Sequence, residues 1–261
     1  MSDIRTDKYG SPWEREELIL AFDLYCRIPF SKTKKNNPAV IELAKLIGRT
    51  PSSVARKLGN FGSFDPMLKQ QNITGLAHAS KADAVIWEEF NSNWNDLVWR
   101  AGTLRSRFKS TVADSKVEQI MLKRPSGKSE RITEQKARVH QSFFRDAILT
   151  SYEQTCCITG LRVRECLIAS HIIPWSESDE HRTDPRNGLC LSATFDRLFD
   201  RGLITISSDY TVIVSEKLIK SHDHRTLEQI GKYHEKPMIL PTRFIPLQDY
   251  LAWHRKNLFY K

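Results

Sequence analysis

The chain has 261 residues, with 40 Lys and Arg against 31 Asp and Glu and a net charge of +9, which favours a polyanionic partner, nucleic acid first. Its 40% hydrophobic content fits a globular chain of one large or two small domains. No apolar run is long enough to span a bilayer, the polar start "MSDIRTDKYGSPWEREE" is unlike a signal peptide, and five cysteines, an odd number, point to the cytoplasm rather than to a disulfide framework.

Residues 12–27, "PWEREELILAFDLYCR", predict a helix, with Pro12 suited to its first turn and Leu18, Phe22 and Tyr25 at helical spacing. The following "IPFSKTKKNNP", with two prolines and three lysines, reads as a basic loop. In "PAVIELAKLIGRTPSSVARKLGNF", residues 38–61, Val40, Leu43, Ala44 and Ile47 line one face. Gly48 ends that helix, and Thr50 N-caps a second one with Pro51 at its first position. Val54, Leu58 and Phe61 continue the apolar face, while Ser52, Ser53, Arg56 and Lys57 point outward. This is a helix-turn-helix pattern whose second helix is shaped to enter a DNA major groove. An ordinary helical hairpin has the same local signals.

"KADAVIWEEFNSNWNDLVWRA" predicts one amphipathic helix whose three tryptophans belong to a core. From Gly102 onward periodicity fades and Arg105, Arg107, Lys109, Lys116, Lys123, Arg124 and Lys128 accumulate. Residues 106–131 therefore read as a basic linker, with a short strand at "EQIMLK". It separates a helical DNA-binding domain, 1–105, from a second domain, 132–261. Such a linker serves equally as a solvated connector or as an arm along phosphates. "TEQKARVHQSFFRDAILTSY" resumes a helix opened by Thr133, with Phe143, Ala147 and Ile148 inward and Arg138, Gln141 and Arg145 placed to meet a nucleic-acid backbone.

In "TCCITGLRVRECLIASHIIPW", apolar runs around "TGLRVRE" predict a β-hairpin whose second strand ends at Ser170 and His171. A polar loop reaches Asn187, and a helix ended by Gly202 follows. On that helix Asp196 and Asp200 share one stripe, and Arg197 and Arg201 another. Like charges four apart destabilise a helix by about 0.2–0.5 kcal/mol per pair, so the arrangement calls for external counter-charges. "GLITISSDYTVIVS" alternates as two strands around Ser208 and Asp209, and the chain closes with a basic, aromatic helix suited either to core packing or to DNA.

The order strand, strand, loop, helix resembles the HNH nucleases, the ββα-metal fold, over roughly residues 150–215, with the core motif at 155–206. The match is to the restriction-type branch that reads SHIxPW, NGLxL and DxLFDxG in order, here at Ser170, His171, Ile172, Pro174, Trp175, Asn187, Gly188, Leu189, Leu191, Asp196, Leu198, Phe199, Asp200 and Gly202. The resemblance implies an α+β protein, an N-terminal helical domain plus a C-terminal HNH domain. It also implies a metal-dependent endonuclease acting on duplex DNA in prokaryotic restriction or defence.

By the same resemblance His171 is the general base, Asp196 a metal ligand, and Asn187 the residue that pins the loop and orients His171. Ser170 stands where relatives carry an Asp or His ligand, and Asp200 where some donate an extra one. A carboxylate ligand favours one Mg²⁺ or Mn²⁺ per active site. Arg197 and Arg201 would then meet DNA phosphates. Many HNH proteins carry two CxxC knuckles. None occurs here, so Cys156, Cys157, Cys166 and Cys190 read as small buried hydrophobes and structural zinc is not expected. A double-strand cut needs two such sites, hence a homodimer. Two other readings stay open: a DNA-binding protein with an inactive HNH fold, and an RNase or toxin nuclease.

Overall fold

The computed structural model describes residues 8, 10–73, 75, 79–114, 128–221 and 224–260, so the strand expected at "EQIMLK" lies outside the described residues. The chain divides into two compact units, Met1–Phe143 and Phe144–Lys261.

The first unit is helical: α1 (Arg15–Arg27), α2 (Pro38–Ile47), α3 (Pro51–Gly62), α4 (Pro66–Gln70), α5 (Lys81–Phe90), α6 (Trp94–Asp114) and the start of α7 (Lys128–Ser151). Helix α1 opens at Arg15 rather than Pro12 because Glu14 and Glu17 close a capping box. Its residues 17–26 are buried, so it forms the centre of the unit. Two carboxylates on it are buried and paired: Glu17 with Arg49 at 2.7 Å and Asp23 with Arg105 at 3.0 Å.

Helices α2 and α3 meet at Gly48, whose φ of +70° is the left-handed C-cap, and Thr50 Oγ1 accepts from Ser53 N–H at 3.1 Å. Phe61 packs on Phe22 of α1 with centroids 5.1 Å apart. Ser52 and Arg56 are exposed and Ser53 is half-buried. Lys57 corrects the expectation of an outward side chain. Its ammonium is buried, 2.8 Å from Asp83 Oδ1 of α5, and Asn60 donates to the same carboxylate at 3.0 Å.

The predicted single helix over residues 81–101 is two, α5 and α6. Asn91, Ser92 and Asn93 interrupt it, being residues that compete with the helical backbone for hydrogen bonds. Trp94 is buried and Trp87 half-buried, but Trp99 is 41% exposed and so does not belong to the core. Helix α6 continues through Asp114, past the point where apolar periodicity fades, and α7 begins at Lys128, which leaves Thr133 inside that helix.

The second unit holds the end of α7, then β1 (Leu167–His171), β2 (Gly188–Ser192), α8 (Ala193–Asp200), β3 (Ile204–Ile206), β4 (Val212–Val214), α9 (Glu216–Ser221), α10 (His224–Ile230) and α11 (Gln248–Asn257). The hairpin expected around "TGLRVRE" is absent. Residues 156–161 make a tight turn instead, with Cys156 N–H on Leu161 O at 2.9 Å, and β1 pairs antiparallel with β2 across the polar loop. The register sets Ser170 opposite Leu189 and His171 opposite Gly188. A side chain on Gly188 would meet Ile148 Cδ1 of α7 at 2.4 Å, so glycine lets the strand lie close against that helix.

Helix α8 follows β2 directly and ends in a Schellman motif: Gly202 N–H donates to Phe199 O and Leu203 N–H to Leu198 O, both at 2.9 Å, with Gly202 at φ +64°. Strands β3 and β4 form the second hairpin, as the alternation predicts. Helix α11 packs into the core, with Leu251 and His254 fully buried. Of the cysteines, Cys156, Cys157 and Cys190 are buried, but Cys166 is exposed, contrary to its reading as a buried hydrophobe.

Candidate active site

The site is built where β1 ends, where its loop returns to β2, and where α8 begins. His171 is the last residue of β1. Its imidazole lies flat on Phe144 of α7, with centroids 3.7 Å apart and planes within 8°, and meets the edge of Trp175 at 5.6 Å. Nε2 lies 3.0 Å from the carbonyl of Arg182, which accepts its proton. That bond sets the tautomer with hydrogen on Nε2 and a lone pair on Nδ1. Among the described residues no hydrogen bond is made to Nδ1. Burial lowers the His171 pKa, and the Arg182 charge acts the same way, against the raising effect of the carbonyl.

The loop between β1 and β2 is held by its own polar groups. Asn187, fully buried, accepts from Ile173 N–H through Oδ1 at 2.8 Å and donates through Nδ2 to Ile173 O at 3.1 Å and His181 O at 3.2 Å. Its backbone carbonyl also accepts from Ile172 N–H at 2.9 Å. Asn187 thus spans the loop mouth and makes no contact with open space. Arg182 folds back, donating Nε–H to Trp175 O at 2.9 Å with its guanidinium 5.0 Å above the Trp175 ring.

Ser170 and Asp196 face each other between β1 and α8. The Ser170 hydroxyl is buried and has no hydrogen-bond partner of full geometry, yet it lies near enough to Asp196 to hold that carboxyl down against burial, which raises it. Asp200, one turn on and exposed at the helix end, is raised by partial desolvation and then by the charge of Asp196. Arg197 and Arg201 are exposed beside the pair and lower Asp200. A buried hydroxyl facing the Asp196 carboxyl, with Asp200 one turn on raised by the Asp196 charge, is a set of oxygen donors suited to a hard cation. Among the described residues no three His, Cys, Asp or Glu side chains converge on one point.

The remaining nominees are scattered. Arg145 is exposed but donates Nη1–H to Leu167 O at 3.1 Å, at the start of β1. Arg138 is exposed and lies in the first unit. Ser52, Ser53 and Arg56 line a cavity of about 410 Å³ with Trp13 and Arg49, also in the first unit. Sequence reasoning missed Phe144 and Arg182, which hold His171. Phe144 stands next to the inward Phe143, and four residues before Ile148, a spacing that places it on the face α7 turns to β2.

Two antiparallel strands and a helix, with an imidazole at a strand end and a carboxylate in the helix's first turn, form a ββα unit. Residues 156–207 match the family model described as HNH endonuclease, and this segment is an HNH endonuclease domain. No curated protein matches the chain. Among solved structures the chain is similar to the "Modification dependent TagI restriction endonuclease", at 19% identity and a TM-score of 0.28, over 44% of this chain and 37% of that one. The chain therefore spans well under half of that protein, and a likeness this distant leaves function to the site itself. No described helix is long and apolar enough to cross a membrane.

Proposed function

We propose that the chain is a metal-dependent endonuclease that hydrolyses phosphodiester bonds in duplex DNA. The observation that carries the proposal is the His171 imidazole, fixed with its proton on Nε2 and its lone pair on Nδ1, one residue from the buried Ser170 hydroxyl that faces Asp196. Hydrolysis of a phosphodiester needs a base for water, neutralisation of phosphate charge and help for the leaving oxygen.

His171 Nδ1 takes the proton of the attacking water, and its lowered pKa keeps it unprotonated through neutral pH. Arg182 O holds the imidazole by Nε2 and stabilises the imidazolium once the proton has moved. Asp196 and the Ser170 hydroxyl would hold a divalent cation, with Asp200 as a third ligand. Such a cation would supply charge neutralisation for the scissile phosphate and the leaving oxygen. Arg197 and Arg201, exposed on the next stripe of α8, bind flanking phosphates. Arg145 contributes from α7. Asn187 touches no substrate and keeps the loop closed under His171.

In the first unit, α3 offers Ser52, Ser53 and Arg56 to DNA. Restriction or defence is the role that the ordered SHIxPW, NGLxL and DxLFDxG residues support. A double-strand cut requires two such centres, so a homodimer is the working assembly.

The test is cleavage of supercoiled plasmid and phage DNA, modified and unmodified, with Mg²⁺, Mn²⁺ or EDTA, with His171→Ala as control and duplex RNA as competitor. Metal-dependent fragments lost in the variant support the reading. Tight, salt-sensitive binding without cleavage makes this a DNA-binding protein with an idle fold, and preferential RNA cleavage makes it a ribonuclease.

A further inference from the structure

Helix α11 lies beyond the segment that matches the HNH family, yet it is bonded to both halves of the site. On one side, His254 Nε2 lies 3.0 Å from Phe199 O in α8, the helix of Asp196 and Asp200, and His254 Nδ1 lies 2.8 Å from Thr205 Oγ1 in β3. On the other side, Tyr250 reaches the β1–β2 loop. Its hydroxyl lies 3.1 Å from Asp184 Oδ2 and 3.2 Å from His181 Nδ1. A phenol has one proton. Donated to the Asp184 carboxylate, it leaves the oxygen free to accept from His181 Nδ1–H.

Asp184 is itself buried and fixed, accepting from Arg186 N–H at 2.8 Å and from the Arg186 guanidinium at 2.7 Å. Its own N–H donates to His181 O at 3.3 Å, and that carbonyl also accepts from Asn187. The entrance to α11 is tied to the same loop by Leu247 N–H on Arg186 O at 3.2 Å. His181 directly precedes Arg182, whose carbonyl holds His171 Nε2.

We propose that Tyr250 is a positioning residue for the His171 imidazole, acting through His181 and Asp184 on the Arg182 carbonyl that fixes its tautomer. The catalytic part of this proposal rests on the nuclease reading. Helix α11 thereby sets the base relative to the carboxylates of α8, and the C-terminal segment becomes part of the working site rather than a cover over the core.

Tyr250→Phe removes the hydroxyl and keeps the ring, which packs against His181 with centroids 4.9 Å apart. Two readouts on the full chain decide the matter. Long-range ¹H–¹⁵N correlation of the histidine rings should give a single Nε2–H form for His171 in the wild type and both tautomers in the variant. On supercoiled plasmid with Mg²⁺, kcat should fall about tenfold with KM unchanged, the scale of a displaced partner behind the reacting groups.

A folded variant with the wild-type tautomer and unchanged kcat overturns the proposal, even if its melting temperature drops. Should Tyr250→Phe fail to fold, Asp184→Asn is read in the same two ways. If the wild type cuts no nucleic acid, the nuclease reading fails with the kinetic arm, while the tautomer still reports whether Tyr250 governs His171.

Discussion

The imidazole of His171 rests on the ring of Phe144, parallel within 8° and 3.7 Å away, so a helix side chain shields one face of the candidate base from water. Shielding disfavours the imidazolium and lowers the His171 pKa below its ordinary 6.5. The neutral form is the one that accepts a proton. The acid limb of the rate profile should therefore lie below the ordinary histidine value, and Phe144→Leu, which opens that face, should move it upward. The check is kcat against pH for both proteins. A limb that stays in place would show that Phe144 supplies packing alone. The truncation should also cost about 1–3 kcal/mol of stability, through lost contact in the core.

A second buried histidine gives a stability prediction of known sign. His254 is fully buried, stacked 3.7 Å from Phe199, and its pKa is pushed down to about 4, first by burial. Between pH 6.5 and about 4 the unfolded chain takes up a proton there that the native protein refuses. Stability is therefore full above 6.5 and falls as pH drops toward 4, by about 3 kcal/mol at most. Urea unfolding at a series of pH values should show this loss, and His254→Gln should flatten it. Other carboxylates titrate near the lower end, so the comparison with the variant carries the result.

Arg56 and Lys57 are adjacent on α3 and have opposite fates. Arg56 is exposed, whereas Lys57 is buried against Asp83. Arg56→Ala should leave stability within about 0.5 kcal/mol. It should also weaken DNA binding and reduce the slope of log affinity against log salt by about 1. Asp83→Ala strands a buried ammonium and should cost about 3–5 kcal/mol. Filter binding at several salt concentrations and denaturant melts would separate the two roles. An unchanged salt slope in the Arg56 variant would remove α3 from the DNA interface.

The inward turn of Lys57 was present in the spacing. Val54, Leu58 and Phe61 mark the buried face, and Lys57 stands three after Val54 and four before Phe61. Its charge made it look like an outer residue, and only Asp83, 26 positions away, explains its burial. The same non-locality hid the pairing of β1. Its partner begins at Gly188, beyond a polar loop, while the nearer "TGLRVRE" offered a turn signal that the chain uses for a turn without a second strand. Caps and glycines were more legible because they act locally. Gly48, Thr50 and Gly202 sit where left-handed φ or a free N–H requires them. The positions of Ser170, His171 and Asp196 followed from a motif; Phe144 was marked only by its spacing from Ile148 on a helix far from the motif, and Arg182 and Tyr250 come from a loop and a distant helix that carried no such mark.

Asp200 offers the sharpest separation of a ligand from a structural acid. Its carboxyl is raised by partial desolvation and by the charge of Asp196, so the native protein holds the proton more tightly than the unfolded chain. Without metal, ionised Asp200 then opposes folding at neutral pH, and stability should rise as pH falls through its titration. Asp200→Asn keeps the shape and removes the charge. In EDTA its melting temperature should exceed that of the wild type, while the gain on adding Mg²⁺ should shrink, because mass-action stabilisation depends on the affinity of the site. An acid that merely holds the helix end would behave in the opposite way: the variant would melt lower in EDTA and keep the full gain with Mg²⁺. Asp196→Asn serves as the reference, losing the Mg²⁺ gain and cleavage together while DNA binding persists.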